Sequence, residues 1–400
     1  MRATLALLLC CAGSAFAQDA GTPSLLDELD AAAQASPPVA AGPAVSPNPI
    51  VRAFQSLNPD LSVIVDATGG YSQRAPLRLS GDDPDLKGDA THAAAGFTVQ
   101  ELELGFQAVV DPYFRADVFL TIPNLSGLEV EEARITSTSL PFDLQLTAGI
   151  FRSALGRQNG QHLHVQSFAR RPLLNAAYLG TDGLRAPGLQ LSWLIPVPFF
   201  LQLNLEAFSV APPDDLTAPN TFGGGARTDL TYAAELKTFA SPTDALSISG
   251  GLNFATGVSP GTLGHPELTS ARSLLGGADL YVKFKPPNEA GGYFNVAWTT
   301  EYFARKLGDF VDAGLYSQLV FQVARRWSVG VREDVLGVPA SAIQPLTSKT
   351  SASVGFAATE FARLRAQVER EFGHSPSVSD SWGAYLTLEI SLGAHGAHAF

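Results

Sequence analysis

Hydrophobic and polar positions follow a period of two along most of the chain, first clearly from Leu102 to Ile122. Leu102, Leu104, Phe106, Ala108 and Val110 share one parity, with Glu101, Glu103, Gly105 and Gln107 on the other. A strand with unlike faces produces this signature. Asp111-Pro112 breaks the run as a tight turn, because proline gives no ladder hydrogen bond and fixes its backbone angle. The alternation resumes with Phe114, Ala116, Val118, Leu120 and Ile122 against Arg115, Asp117 and Thr121.

Sixteen strands of about nine to fourteen residues, the length that crosses a bilayer at a tilt, are predicted in this way. They begin near Leu61, Phe97, Tyr113, Leu128, Asp143, Gly188, Phe199, Arg227, Ala245, Leu274, Gly292, Phe310, Trp327, Ser348, Phe361 and Ser381; those near Leu128 and Phe310 alternate least regularly. Short links such as Leu140-Pro141 and Pro196-Val197-Pro198 alternate with longer ones such as Ser72 to Gly96, Arg152 to Pro187 and Ala211 to Ala226. Short turns at one end and long loops at the other are the plan of a bacterial outer-membrane barrel. The expected fold is therefore all-β, a transmembrane antiparallel β-barrel with both termini periplasmic. Phe114, Phe142, Trp193, Phe199, Phe239, Phe284, Phe294, Trp327 and Phe361 fall beside the short turns, where a belt would sit at the headgroup layer.

Composition supports membrane over water. The chain is 46% hydrophobic and 16% charged, against about 25% charged for a soluble domain. Beyond the leader no apolar run is long enough for a membrane helix. A soluble sandwich would bury the polar second face at a cost, whereas a water-filled lumen accepts it. Residues 1–17 read as a signal peptide ending in Ala15-Phe16-Ala17, 18–58 as a periplasmic linker with a short helix within Ser24 to Gln34, and 59–400 as the barrel. Both cysteines lie in the leader, which removes disulfides and thiolate chemistry from the exported chain. The net charge of −12, about −13 without Arg2, argues against nucleic acid as a partner.

Several stretches also carry a family resemblance. Leu102 to Ile122, Ala148-Gly149-Ile150-Phe151-Arg152 leading to Leu155-Gly156-Arg157, and Arg171-Pro172-Leu173 to Gly183-Leu184 resemble porins of the phosphate-selective O/P type. The likeness covers about Asn58 to Phe400 and extends to outer-membrane proteins labelled zinc-regulated TonB-dependent receptors. A plugged receptor barrel has about 22 strands, more than this chain supplies. What the resemblance implies is a sixteen-stranded, commonly homotrimeric barrel in outer-membrane lipid, with the Arg152 to Pro187 loop folded into the pore. The basic ladder of phosphate pores is not reproduced. Arg115, Arg134, Lys237, Lys283, Arg332, Arg363 and Arg365 share the expected lumen faces with Glu101, Glu103, Asp117, Glu132, Glu235, Asp279 and Glu301.

Candidate chemistry concentrates in the long loop. Arg152, Arg157, Arg170 and Arg171 make it basic inside an acidic protein; they either attract anions at a constriction or pair with lumen carboxylates. His162 and His164 are spaced to present two imidazoles to a metal ion, against the alternative of ordinary exposed loop histidines. His374-Ser375 is the only adjacent histidine–serine pair, and no hydrolase, zincin, P-loop or dinucleotide fingerprint is present. The expected function is passive passage of small hydrophilic solutes, with anion preference, without cofactor or enzymatic activity. The alternatives are a barrel closed by its loop, structural or metal-binding, and a soluble secreted β protein.

Overall fold

In the computed structural model, residues 59–73, 94–123, 125, 127–212, 221–226, 228–261, 265–287, 293–374 and 380–393 are described. The expected cleavage site, the helix within 24–34 and terminal Phe400 lie outside them. The alternating stretches form sixteen strands: β1 Pro59–Ser72, β2 Ala94–Asp111, β3 Phe114–Pro123, β4 Glu129–Ser137, β5 Leu144–Arg152, β6 Arg185–Leu194, β7 Phe200–Phe208, β8 Thr231–Thr243, β9 Leu246–Val258, β10 Arg272–Phe284, β11 Asn295–Leu307, β12 Phe310–Ala324, β13 Trp327–Leu336, β14 Thr347–Thr359, β15 Ala362–Gly373 and β16 Ser381–Gly393. Each pairs antiparallel with its sequence neighbours, and β16 returns to β1 with Glu389 opposite Asp66. The sheet is a closed barrel, which removes the exposed edges that invite aggregation.

Both irregular stretches are strands, each for its own reason. β12 turns Asp312, Gly314, Tyr316 and Gln318 inward, so a large ring lies on the polar parity and blurs the alternation. β4 carries a bulge, opposite the step from Phe119 to Leu120 of β3.

The two faces separate as the parity requires. Leu189, Leu205, Leu252, Val331, Val368 and Leu386 point outward and are exposed, while Asp66, Glu103, Glu301, Asp334 and Arg365 point inward and are buried. Phe142, Phe199, Phe239, Trp327 and Phe361 are exposed beside the short turns, as a belt requires. No helix among the described residues is long and apolar enough to cross a membrane.

The apolar core lies inside the barrel and is built largely by the connection after β5. Leu155, Leu174, Tyr178, Leu179 and Leu184 of that loop pack with Phe222, Phe303, Tyr316 and Leu336. A short helix, Leu173–Leu179, carries three of these side chains on its buried side. The loop thereby fills the part of the lumen against β11 to β13.

Candidate functional site in the barrel lumen

The loop between β5 and β6 is held by side chains from nearly every part of the wall. Glu206 of β7 accepts from the Ala154 amide at 2.8 Å and from the Ser153 hydroxyl. Asn253 of β9 accepts from the Gly156 amide at 2.8 Å, and Glu301 of β11 accepts from the Gln158 amide. At Gly156 φ is +67°, and a Cβ would sit 2.8 Å from Glu301 Oε2, so this close approach needs glycine. On the far side, Arg332 of β13 donates to the carbonyls of Arg170 and Arg171, and Asp334 Oδ1 accepts from the Leu173 amide at 2.9 Å. Arg363 and Arg365 of β15 donate to the carbonyls of His164 and Gln166.

The loop arginines occupy four distinct settings. Arg152, buried at the end of β5, pairs with Glu131 and with Asp182. Arg170 contacts Glu369 at 3.2 Å and the Tyr385 hydroxyl at 3.0 Å. Arg171 is buried 3.8 Å from Asp182, and burial together with the adjacent Arg152 guanidinium pushes it down to about 10. The Arg157 guanidinium lies over the Tyr281 ring at 3.7 Å. Only Arg157 among the four therefore lacks a carboxylate partner within ion-pair distance, counting the described residues.

The predicted lumen residues lie on the inward parity of their strands. Arg115 meets Asp117 at 2.9 Å, and Arg134 bridges Asp117 at 3.3 Å and Glu132 at 2.8 Å. Arg332 meets Asp334 at 2.9 Å, Arg363 meets Glu389, and Arg365 lies 3.7 Å from Asp66. Glu235 and Asp279 accept from Asn204 and Asn253 at 2.7 and 2.8 Å. Lys237 and Lys283 share the inward parity of Glu235 and Asp279 on β8 and β10.

The densest cluster gathers at His162 and His164. Burial opposes charge on His162, but the carboxylates of Glu131, Glu103 and Glu132 outweigh it and hold the imidazole well above its usual range. His162 Nδ1 lies 2.9 Å from Glu103 Oε2, and Nε2 lies 2.9 Å from Glu132 Oε1. His164 Nδ1 is 3.6 Å from both Glu101 Oε1 and Glu103 Oε2. Both histidines are buried, at 5% and 0% exposure, unlike the exposed loop histidines of the alternative reading.

Two bulges build this cluster, and sequence parity misses both. Opposite β1 the register passes from Glu101 to Val99, and opposite β3 from Glu132 to Val130, leaving Gln100 and Glu131 as extra residues. A bulge turns a strand and re-aims its side chains, so consecutive residues Glu131 and Glu132 are both buried inside. The legible signal is the Glu131-Glu132 pair itself, since strict alternation would face one carboxylate outward. Glu369 and Asp312 are further partners that sequence reasoning did not single out.

Beside the cluster a polar cavity of about 600 Å³ follows the inner faces of β1 to β7, from Glu103, Arg152 and His162 to Thr138, Gln145 and Gln202 near the short turns. The loop thus leaves the lumen divided: packed side chains against β11 to β13, open polar space against β2 to β7.

Comparison with known proteins places this architecture. A protein of Aquifex aeolicus (strain VF5), described as an uncharacterized protein, is 31% identical over 346 residues, covering 76% of this chain and 70% of the relative. The chain belongs to that protein's family. No family model matches it. Among solved structures, the anion-selective porin from Comamonas acidovorans superposes with a TM-score of 0.55 at 11% identity, over 84% of this chain and 99% of that one. The outer membrane channel DcaP of Acinetobacter baumannii gives 0.56 at 11%, over 84% and 97%. The trimer form of OmpT, an outer membrane protein of Vibrio cholerae, gives 0.53 at 8%, over 84% and 99%. At these identities the likeness is one of fold.

Proposed function

We propose that this protein is an outer-membrane porin that passes small hydrophilic solutes by diffusion through a lumen narrowed by its β5–β6 loop. The observation that carries the reading is the joint geometry of wall and loop: an apolar outer face, a polar inner face, and a loop held inside by inward side chains while a polar cavity persists beside it. Such a surface suits lipid outside and water within. The pairing of Arg152, Arg170 and Arg171 with carboxylates supports weak anion preference and speaks against a phosphate-type ladder of free cations. Export through a cleaved leader and assembly as a homotrimer, the latter as in the Vibrio cholerae OmpT trimer, belong to the same proposal. The proposal includes no enzymatic step; among the described residues His374 Nε2 contacts Ser348 at 2.9 Å, and Ser375 lies outside them.

A second reading, a barrel closed by its loop, is favoured by one observation. The loop's anchors reach β2, β4, β7, β9, β11, β13 and β15, which together surround the lumen. Swelling of proteoliposomes in sugars of increasing size separates the two. Swelling that declines with sugar size supports diffusion through a narrowed lumen, and folded protein that permits none supports closure.

A further inference from the structure

The side chains around His162 and His164 form a pocket whose charge and spacing call for a cation. Four carboxylates converge there: Glu101, Glu103, Glu131 and Glu132. Arg152 answers Glu131 and Arg134 answers Glu132. Among the described residues, Glu101 and Glu103 have no lysine or arginine within ion-pair distance and face the two imidazoles instead. With both imidazoles in the neutral form that ligates a metal, the charge of these two carboxylates is balanced by one divalent ion. Glu101 is 6% exposed, and its Oε1, aimed at His164, has no hydrogen-bond partner. Leaving a buried carboxyl oxygen without a hydrogen-bond partner is costly, and a bound metal removes the cost.

Distances agree. Glu103, His162 and His164 each offer a ligand atom, all within 4.8 Å of one another. Glu103 Oε2 lies 2.9 Å from His162 Nδ1 and 3.6 Å from His164 Nδ1. Tetrahedral zinc with bonds of 2.0–2.1 Å separates its ligand atoms by about 3.3 Å, between those two values. If His162 binds through Nδ1, its Nε2–H is already directed at Glu132 Oε1, the outer-shell carboxylate that orients metal-bound histidines. Glu103, Glu132 and His162 also line the polar cavity, which gives an ion its way in.

We propose that Glu103, His162 and His164, completed by Glu101, bind one divalent transition-metal ion of the zinc class between the lumen loop and β2. Two imidazoles select such an ion over calcium or magnesium, which prefer all-oxygen sites. The site ties loop to wall whether or not the barrel conducts, so it stands apart from the diffusion reading.

The test uses tag-free, full-length protein, folded in detergent, stripped with chelator, equilibrated with zinc and desalted, with metal per chain measured by mass spectrometry. Wild-type barrel is expected to retain one zinc per chain, unaffected by excess Ca²⁺ or Mg²⁺, and to unfold at a higher temperature than the stripped protein. His164→Ala and Glu101→Gln are expected to lose retained zinc while keeping the heat-modifiable migration of a folded barrel, and Glu132→Ala to weaken binding about 10–100-fold. Folded wild type that retains no zinc overturns the proposal, leaving His162 as a protonated bridge between Glu103 and Glu132. Zinc retained equally by a folded His162→Ala/His164→Ala double variant also overturns it. The wild-type result decides even where a variant does not fold.

Discussion

Inside the barrel, Arg305 and Asp312 are both sealed from solvent, with Arg305 Nη2 donating to both oxygens of Asp312 at 3.1 Å. The Tyr178 hydroxyl donates to the same carboxylate at 2.6 Å, so one acid holds a wall arginine and the loop helix together. Removing one member of a buried pair strands the other charge, at a cost of about 3–5 kcal/mol. Asp312→Ala is expected to lower stability by that order in denaturant titrations of the folded barrel; a loss under about 1 kcal/mol would show the pair to be dispensable. Gly183 of the loop has φ +82° beside Asn159, where an added Cβ collides with the amide oxygen. Gly183→Val is accordingly expected to loosen the loop and expose Arg170 and Arg171 to trypsin, with cleavage read by gel; wild-type resistance in the variant would show that the turn does not secure the loop. Such contacts were only partly legible in the sequence. The inward parity of Arg332 and Arg365 could be read directly, because a two-residue period survives in each strand. Their partners, the carbonyls of Arg171 and Gln166, could not, because backbone acceptors on a folded-in loop leave no mark on residue pattern.

At the scale of strands, alternation predicted all sixteen because each crosses one boundary with unlike sides, and parity was lost only where local geometry intervened. The bulges at Gln100 and Glu131 each add one residue, and one added residue reverses every later side chain in a parity count. This is why Glu131, central to the histidine cluster, escaped the sequence reading while Glu101, Glu103 and Glu132 did not. Long loops moved boundaries too: the strand expected from Gly188 begins at Arg185, and that from Arg227 at Thr231. The outward face permits a direct check. Leu252 sits at mid-strand in β9 and is 62% exposed. If lipid covers that face, Leu252→Arg should destabilise the barrel in bilayers by about 2–4 kcal/mol, against near-neutral behaviour for an arginine at the inward, cavity-lining Gln202. Equal tolerance of both substitutions would place water, not hydrocarbon, outside the wall.

For the whole molecule, wall and loop together are proposed to make a narrowed aqueous path. The wall could be read from periodicity. How the loop fills the lumen could not, because its apolar residues pack against Phe222, Phe303, Tyr316 and Leu336, which are distant in sequence. Single-channel recording in planar bilayers separates such a path from a sealed lumen, comparing wild type with an Arg332→Ala/Arg365→Ala variant that removes two wall anchors from the loop. Small, steady ohmic steps are predicted for wild type, with larger or fluctuating steps once the anchors are gone, and a small reversal potential of the anion-selective sign in a salt gradient, since three of the four loop arginines are paired. Correctly folded wild type and variant that both remain silent would rule out an open path and leave a closed barrel in its place.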